Sequence, residues 1–159
     1  MHKKIPNIFT FISDFKKEQI LKLSKDTGII YRNYKEKNNI LRILKIRNFC
    51  KQNNRKFYLA NNIKLAINLN LDGAYVPSFN RRILLNHSYK KKFLLMGSAH
   101  NIYQIRQKEK QNIDLLFLSP LFKTKDYKNG LGTIKFNLLS NLTKKKNYCS
   151  WRYKQKKYK

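Results

Sequence analysis

The sequence predicts an α/β fold built on a parallel sheet. Three observations lead to this prediction: six short apolar runs recur along the chain, segments with helical spacing lie between them, and the two kinds of segment alternate. Each run is almost entirely apolar and rich in β-branched and aromatic residues, which is typical of a strand buried on both faces. Repeated alternation of strand and helix favours parallel strands joined by right-handed crossovers.

The predicted elements can be placed in order along the chain. Strands are expected at residues 7–13, 28–32, 56–60, 72–76, 93–97 and 114–119. Helices are expected at residues 15–25, 38–52, 61–70, 101–112 and 134–142. In the second helix, Ile40, Ile43 and Leu44 have the i, i+3, i+4 spacing of an apolar face. A doubly wound sheet and a (β/α) barrel are both compatible with this order of elements.

The composition combines a folded core with a large positive charge. Hydrophobic residues make up 42% of the 159 residues and aromatic residues 13%, which argues against a disordered basic chain. The formal charge of +28 indicates either a polyanionic partner such as nucleic acid, or A/T-rich codons that favour lysine. The lysines are spread along the predicted helices, and no RNP, helix-turn-helix or KH-like signature is present, so nucleic acid is not the partner we expect.

Cysteine spacing and hydropathy exclude several other classes. Cys50 and Cys149 lie far apart and form no CxxC pattern, so we expect neither a disulfide framework nor a zinc site. The apolar stretch near the N-terminus is short and interrupted by Asp14, and no run approaches the roughly 20 residues that span a bilayer. We therefore expect a cytoplasmic protein without a membrane partner, and the oligomeric state stays open.

Polar side chains follow the predicted strands, where parallel α/β folds bind their ligands. Arg32 follows the second strand directly, and its planar five-donor guanidinium suits a phosphate group, although a surface arginine in a loop would give the same pattern. Ser98 could contact a ligand or cap the next helix, and His100 could be a structural or solvated histidine. The candidate site residues at these strand ends are Arg32, Asn61, Asn80, Ser98, His100 and Thr124.

Four motifs in register carry a resemblance to a known family. The stretches FYLANNIKLAINLNLDGAYVP, LLMGSAHN and IDLLFLSPLFKTKD contain Asn61-Asn62, the strand Leu71–Val76, the Ser98-Ala99-His100 turn and the run Ser119–Thr124. In order and spacing this resembles the thiamine phosphate synthase family and its sister thiazole tautomerases (TenI-like). The resemblance implies a (β/α)8 TIM barrel, here incomplete, with about six βα units.

The resemblance also implies a transferase of thiamine biosynthesis. The family's synthase joins hydroxymethylpyrimidine pyrophosphate to thiazole phosphate and releases pyrophosphate, so the expected partners are small phosphorylated pyrimidine and thiazole substrates. By position, Arg32 is expected to bind the pyrophosphate, Ser98 the pyrimidine or leaving group, and Thr124 the thiazole phosphate. His100 matches the acid/base histidine of the tautomerase branch, which makes a metal-independent thiazole tautomerase the alternative.

The sequence departs from the family at the metal site. The synthase holds Mg²⁺ with two aspartates, and this chain has Asn61 and Asn80 at those places. Neutral amides are poorer ligands than carboxylates for a hard cation, so we assign no metal ligand. Mg²⁺ is expected as a cofactor only if synthase activity is retained, and the tautomerase reaction needs no metal.

The last residues do not continue the family pattern. We assign residues 1–142 to a C-terminally truncated barrel domain and residues 143–159 to a basic tail. With A/T-leaning codons, the stretch from Asn147 onward read one base later spells IIALGGI, which resembles the family's phosphate-binding strand and glycine turn. Our hypothesis is that this tail is a frameshift product, and for the chain as written we expect little or no synthase activity. The alternative is a nucleic-acid-binding tail with Trp151, Tyr153 and Tyr158 as stacking residues.

Overall fold

The structure is a computed structural model that describes residues 5–35, 39–83, 92–122 and 130–149. In these ranges, strands and helices alternate in the predicted way. The strands are β1 (Ile8–Ile12), β2 (Thr27–Tyr31), β3 (Phe57–Ala60), β4 (Gly73–Val76), β5 (Leu94–Ala99), β6 (Leu115–Leu118) and β7 (Lys146–Cys149). The helices are α1 (Lys17–Leu21), α2 (Ile40–Gln52), α3 (Ile63–Asn68), α4 (Ile102–Lys110) and α5 (Gly132–Asn141).

The seven strands form one sheet whose order follows the chain from β1 to β7. The pairs β1–β2, β2–β3, β3–β4, β5–β6 and β6–β7 are parallel. This confirms the predicted α/β fold of the incomplete (β/α)8 type, since the described residues contain seven of the eight strands of a closed barrel. No helix in the described ranges is long and apolar enough to cross a membrane.

The chain divides into two compact units. The first consists of Met1–Pro77 with Leu85–Leu95, and the second of Ser78–Leu84 with Met96–Lys159. The first unit therefore contains β1 to β4 and the start of β5, and the second contains the rest of β5, β6, β7, α4 and α5. Candidate site residues occur in both units.

Glycines in the first unit make room for close packing of its strands. Gly28 on β2 pairs with Phe9 on β1, and an added Cβ would lie 2.8 Å from the Phe9 ring and 3.0 Å from the Tyr58 ring. The absent side chain lets those two rings pack with their centroids 5.7 Å apart. The space around Gly73 is smaller still, since an added Cβ would lie 2.0 Å from the carbonyl oxygen of Leu94. A side chain at Gly73 would force the backbone of this unit to shift.

The second unit buries an apolar cluster between its strands and helices. The cluster consists of Ala99, Ile105, Leu116, Leu118 and Leu139. Because Ala99 pairs with Leu118 in register and alternate strand residues face opposite sides, Ser98 and its partner Phe117 lie on the other face. Helix packing therefore leaves Ser98 on the face of the sheet that does not contact α4 and α5.

Asparagine residues stand at both ends of three helices, α2, α3 and α4. The side chains of Asn39, Asn62 and Asn101 accept hydrogen bonds from the backbone N–H groups of Arg42, Leu65 and Gln104, which caps α2, α3 and α4. Just after the same helices, Asn54, Asn70 and Asn112 have φ values of 52°, 51° and 54°. This left-handed position is usually glycine, and asparagine tolerates it. The asparagine-rich composition thus has a structural use at six helix ends.

Strand β7 lies inside the segment 143–159 that the sequence assigned to a basic tail. Its residues pair in parallel with β6, with Leu116 opposite Asn147 and Phe117 opposite Tyr148, and the Phe117 and Tyr148 rings lie 6.2 Å apart. Backbone pairing depends little on side-chain identity, so this strand is compatible with either origin of the tail. The boundary at residue 142 and the frameshift hypothesis stay predictions.

Candidate functional site

In the first unit, Arg32 is held in place by an aromatic ring. Its backbone N–H donates to the carbonyl oxygen of Ile12 at 2.8 Å, which ties it to the end of β1. Its guanidinium carbon lies 4.6 Å from the centroid of the Phe11 ring, and that ring meets the edge of Tyr75 at 5.0 Å. A guanidinium that lies over an aromatic face keeps the N–H groups at its own edges available for an anion.

Tyr34 extends this arrangement. The pKa of its hydroxyl is raised to about 12, mainly by burial and also by the nearby Tyr75, while Arg32 partly opposes the shift. The phenol is therefore neutral at physiological pH and leaves Arg32 as the charged group. We call Phe11, Arg32, Tyr34 and Tyr75 the Arg32 cluster, which combines one guanidinium cation with three aromatic rings.

Asn61 also belongs to the first unit, at the end of β3. Its φ is 59°, and its backbone N–H donates to the carbonyl oxygen of Tyr75 at 2.7 Å. Asparagine adopts this left-handed conformation more readily than most residues. The side chain is exposed, whereas the adjacent Asn62 accepts a hydrogen bond from the Leu65 N–H at the start of α3. Asn61 is therefore the turn residue and Asn62 the helix cap.

In the second unit, His100 lies at the centre of a chain of hydrogen bonds. Its Nδ1 contacts the backbone carbonyl oxygen of Ser119, and its Nε2 lies 3.0 Å from the hydroxyl oxygen of Ser78. The backbone N–H of His100 also donates to Oε1 of Gln104 at 2.7 Å. We call Ser78, His100 and Ser119 the His100 cluster.

The partners of the ring define its tautomer. A carbonyl oxygen can only accept, so Nδ1 carries the proton and donates to Ser119. In the neutral ring Nε2 is then an acceptor, and the Ser78 hydroxyl donates to it. A histidine whose second nitrogen is fixed in this way can take up a proton at Nε2 and return it.

Ser98 and Asn80 lie in the same unit as His100. Ser98 is 3% exposed and lies on the face of β5 opposite the apolar cluster, and His100 follows it by two residues, directly after the strand ends. Asn101, and not Ser98, caps α4. The Asn80 side chain accepts a hydrogen bond from the Arg82 N–H at 3.0 Å, which makes a local turn.

The structure thus places the predicted site residues in two groups. Arg32 and Asn61 lie in the first unit, and Asn80, Ser98 and His100 in the second. Thr124 lies outside the described residues, so its predicted role stays a prediction.

The donor set at the two family metal positions does not fit Mg²⁺. Asn61 and Asn80 offer uncharged amide oxygens, and Oδ1 of Asn80 already accepts the Arg82 N–H. In the described part of the chain, no group of three His, Cys, Asp or Glu side chains could hold a metal. Mg²⁺ prefers carboxylates and phosphate oxygens, so we derive no step through this ion.

Sequence reasoning missed the partners of His100. Ser78 occurs in the polar stretch YVPSFN after the fourth predicted strand, and Ser119 ends the sixth, so both stand at strand ends as His100 does. That shared position was the available signal. Sequence reasoning also missed the burial of Lys108. Helical spacing could have predicted it, because Lys108 follows the buried Ile105 by three residues and lies on the same face of the helix.

Comparisons with known proteins support the fold and identify the family. No curated protein sequence matches the chain. Among solved structures, a thiamine phosphate pyrophosphorylase from Pyrococcus furiosus is similar in fold, with a TM-score of 0.65 and 15% sequence identity over 91% of this chain and 74% of that chain. The family model described as thiamine monophosphate synthase matches residues 17–150, which is most of the chain. The chain therefore belongs to the thiamine monophosphate synthase family.

Proposed function

We propose that the chain acts in thiamine biosynthesis as a synthase-like transferase that joins hydroxymethylpyrimidine pyrophosphate to thiazole phosphate. The observation that carries this proposal is the family match over residues 17–150, which includes Arg32, Ser98 and His100. In the reaction, the bond between the pyrimidine methylene carbon and the pyrophosphate oxygen breaks. The thiazole nitrogen then donates its electron pair to that carbon, and pyrophosphate leaves.

Arg32 binds the departing pyrophosphate. Its guanidinium is positioned by the Phe11 ring at 4.6 Å, and it offers paired N–H donors that match two phosphate oxygens. Negative charge grows on the leaving group as the bond breaks, so a fixed cation there stabilises the transition state more than the ground state. Because Asn61 and Asn80 lack the carboxylates that would hold Mg²⁺, no metal charge assists this neutralisation and more of it falls on Arg32.

The remaining predicted residues position the two substrates. Ser98 contacts the pyrimidine or its leaving group, and Thr124 binds the thiazole phosphate. Asn61 and Asn80 bind substrate through amide hydrogen bonds in place of a metal. Weak neutralisation of the pyrophosphate predicts slow turnover, because positioning alone replaces only part of the missing charge.

A second function, metal-independent thiazole tautomerisation, is favoured by the His100 cluster. The reaction moves one proton from one atom of the thiazole carboxylate skeleton to another and needs no change of charge overall. His100 has an acceptor nitrogen facing Ser78 and a fixed donor on its other side, which is the arrangement that a combined base and acid requires. His100 takes the proton at Nε2 and returns it to the second atom.

The test uses the full chain with each substrate set. Purified protein is incubated with hydroxymethylpyrimidine pyrophosphate and thiazole phosphate, with and without Mg²⁺, and thiamine phosphate is measured after conversion to fluorescent thiochrome. In parallel, the thiazole phosphate carboxylate tautomer is incubated alone in D₂O, and loss of its exchangeable carbon-bound proton is followed by NMR.

The outcomes separate the two functions. Formation of thiamine phosphate supports the synthase proposal, and proton exchange without product supports the tautomerase. If neither occurs and calorimetry detects no binding of pyrophosphate, both proposals are wrong.

A further inference from the structure

Lys108 is a charged side chain in a position where an apolar one is usual. It lies on α4 beside the buried Ile105, its residue is 1% exposed, and its alkyl chain packs where a side chain at Gly97 would stand. Burial lowers the pKa of Lys108 to about 8. Its Nζ donates to the carbonyl oxygen of Asn80 at 2.8 Å and to Oε1 of Gln111 at 2.9 Å.

Gln111 completes this arrangement from the end of the same helix. It is 2% exposed, and its Nε2 donates to the carbonyl oxygens of Asn80 at 3.0 Å and Arg82 at 2.7 Å. Two buried side chains thus supply three hydrogen bonds to the backbone of one short irregular segment. We call Lys108 and Gln111 the latch.

The segment held by the latch begins with Ser78, the hydrogen-bond partner of His100. His100 directly precedes the cap of α4, and the latch residues lie at the other end of that helix. Helix α4 therefore connects His100, just before its N-terminus, with the groups that hold the Ser78 segment in place. We propose that Lys108 and Gln111 are positioning residues, which fix residues 78–82 so that the Ser78 hydroxyl stays at Nε2 of His100.

The chemistry of the latch explains why a buried lysine is present. An apolar side chain at this position would avoid the cost of burying a charge, but it would leave the Asn80 carbonyl with one donor fewer. A long, straight side chain from α4 reaches that carbonyl, and Gln111 satisfies a second N–H of the ammonium group. The consequence for catalysis rests on the proposed proton transfer by His100, whereas the geometric claim does not.

The experiment reads the hydrogen bond at His100 without requiring turnover. The imidazole ¹⁵N resonances of the full chain are recorded at neutral pH, with His100 assigned by its loss in His100→Ala, and Ser78→Ala gives the value for Nε2 without its partner. Lys108→Met and Gln111→Leu should move the Nε2 resonance toward the Ser78→Ala value. Lys110→Met, on the exposed side of α4, should leave it unchanged.

Each result decides the proposal. If Lys108→Met and Gln111→Leu are folded by circular dichroism but keep the wild-type Nε2 resonance, the latch does not position Ser78 and the proposal is wrong. Loss of folding in both variants would assign the pair to stability alone and would also overturn it. Where the chain exchanges thiazole protons, the two variants should lower kcat up to about 100-fold with little change in KM. A shifted resonance in a chain without turnover supports the latch and counts only against the proposed function.

Discussion

The Arg32 cluster and the His100 cluster are held together by different kinds of interaction. In the first, a charged group is held by aromatic rings, with the guanidinium carbon 4.6 Å from the centroid of the Phe11 ring and the Phe11 and Tyr75 rings in a T-shaped contact at 5.0 Å. In the second, neutral groups are joined by hydrogen bonds from Ser78 through His100 to a backbone carbonyl. Attraction of an anion falls off slowly with distance, whereas proton transfer requires the correct tautomer and a contact within hydrogen-bond range. The comparison predicts that the two clusters can be disabled separately.

The largest effect should come from His100→Ala. Loss of the base is expected to lower proton exchange on the thiazole substrate by about 10²–10⁴-fold, because general acid–base catalysis contributes about that much. Affinity for pyrophosphate should stay at the wild-type value, since Arg32 is untouched. Exchange is measured by NMR in D₂O and affinity by calorimetry. A parallel loss of pyrophosphate binding would show that the clusters are not independent.

The reciprocal change, Arg32→Ala, should weaken pyrophosphate binding by about 10- to 100-fold. A hydrogen bond to a charged group contributes roughly 1.5–3 kcal/mol, and alanine removes all of those that Arg32 makes. Arg32→Lys keeps the charge without the paired donors and should fall between alanine and wild type. Arg42→Ala serves as the control, because Arg42 lies 3.8 Å from the exposed Asp14 in a surface ion pair. Equal losses in both arginine variants would indicate a general charge effect instead of a specific site.

The smallest effect should be a pH-dependent difference in stability between wild type and Lys108→Met. Burial lowers the pKa of Lys108 from its ordinary value of 10.5 to about 8, so between these values the unfolded chain binds more protons than the folded one. The contribution of Lys108 to the free energy of unfolding therefore rises with pH from about 8 to 10.5.

Other titrating groups also change the stability of the wild-type protein with pH. The quantity to measure is therefore the difference in the free energy of unfolding between wild type and Lys108→Met. Burial raises the pKa values of Cys50 and Tyr34 to about 12, and these groups lower stability as pH rises above their ordinary values. Because both are present in wild type and variant, their contribution cancels in the difference. In urea unfolding at several pH values from 7.5 to 10.5, the free energy of unfolding of wild type should rise relative to that of Lys108→Met. A difference that does not change with pH would contradict the lowered pKa of Lys108.

The strands could be predicted from the sequence because they are buried on both faces. A run such as Thr27–Tyr31 is buried at every residue and therefore nearly all apolar, which leaves a clear signal. Helix lengths were harder. Residues 15–25 were predicted as one helix, but α1 covers only Lys17–Leu21 because Ile20 is its one buried residue. Strand β7 was not predicted, since its residues are those of a basic stretch and pair through the backbone.

The candidate site was predicted in part. Arg32, Asn61, Asn80, Ser98 and His100 all stand where a strand ends or just beyond, and the order of strands and helices was sufficient to place them there. The partners of His100 are a hydroxyl from another loop and a backbone carbonyl, and a carbonyl leaves no signature in a sequence.

By itself, the sequence determined the alternation of strands and helices, the family and the residue types at the strand ends, because each depends on local pattern and order. Tertiary structure alone decided which nitrogen of His100 carries the proton, that Arg32 stacks on Phe11, and that Lys108 is buried with its ammonium on the Asn80 carbonyl. These properties depend on distances between residues up to 28 positions apart along the chain, which only packing sets.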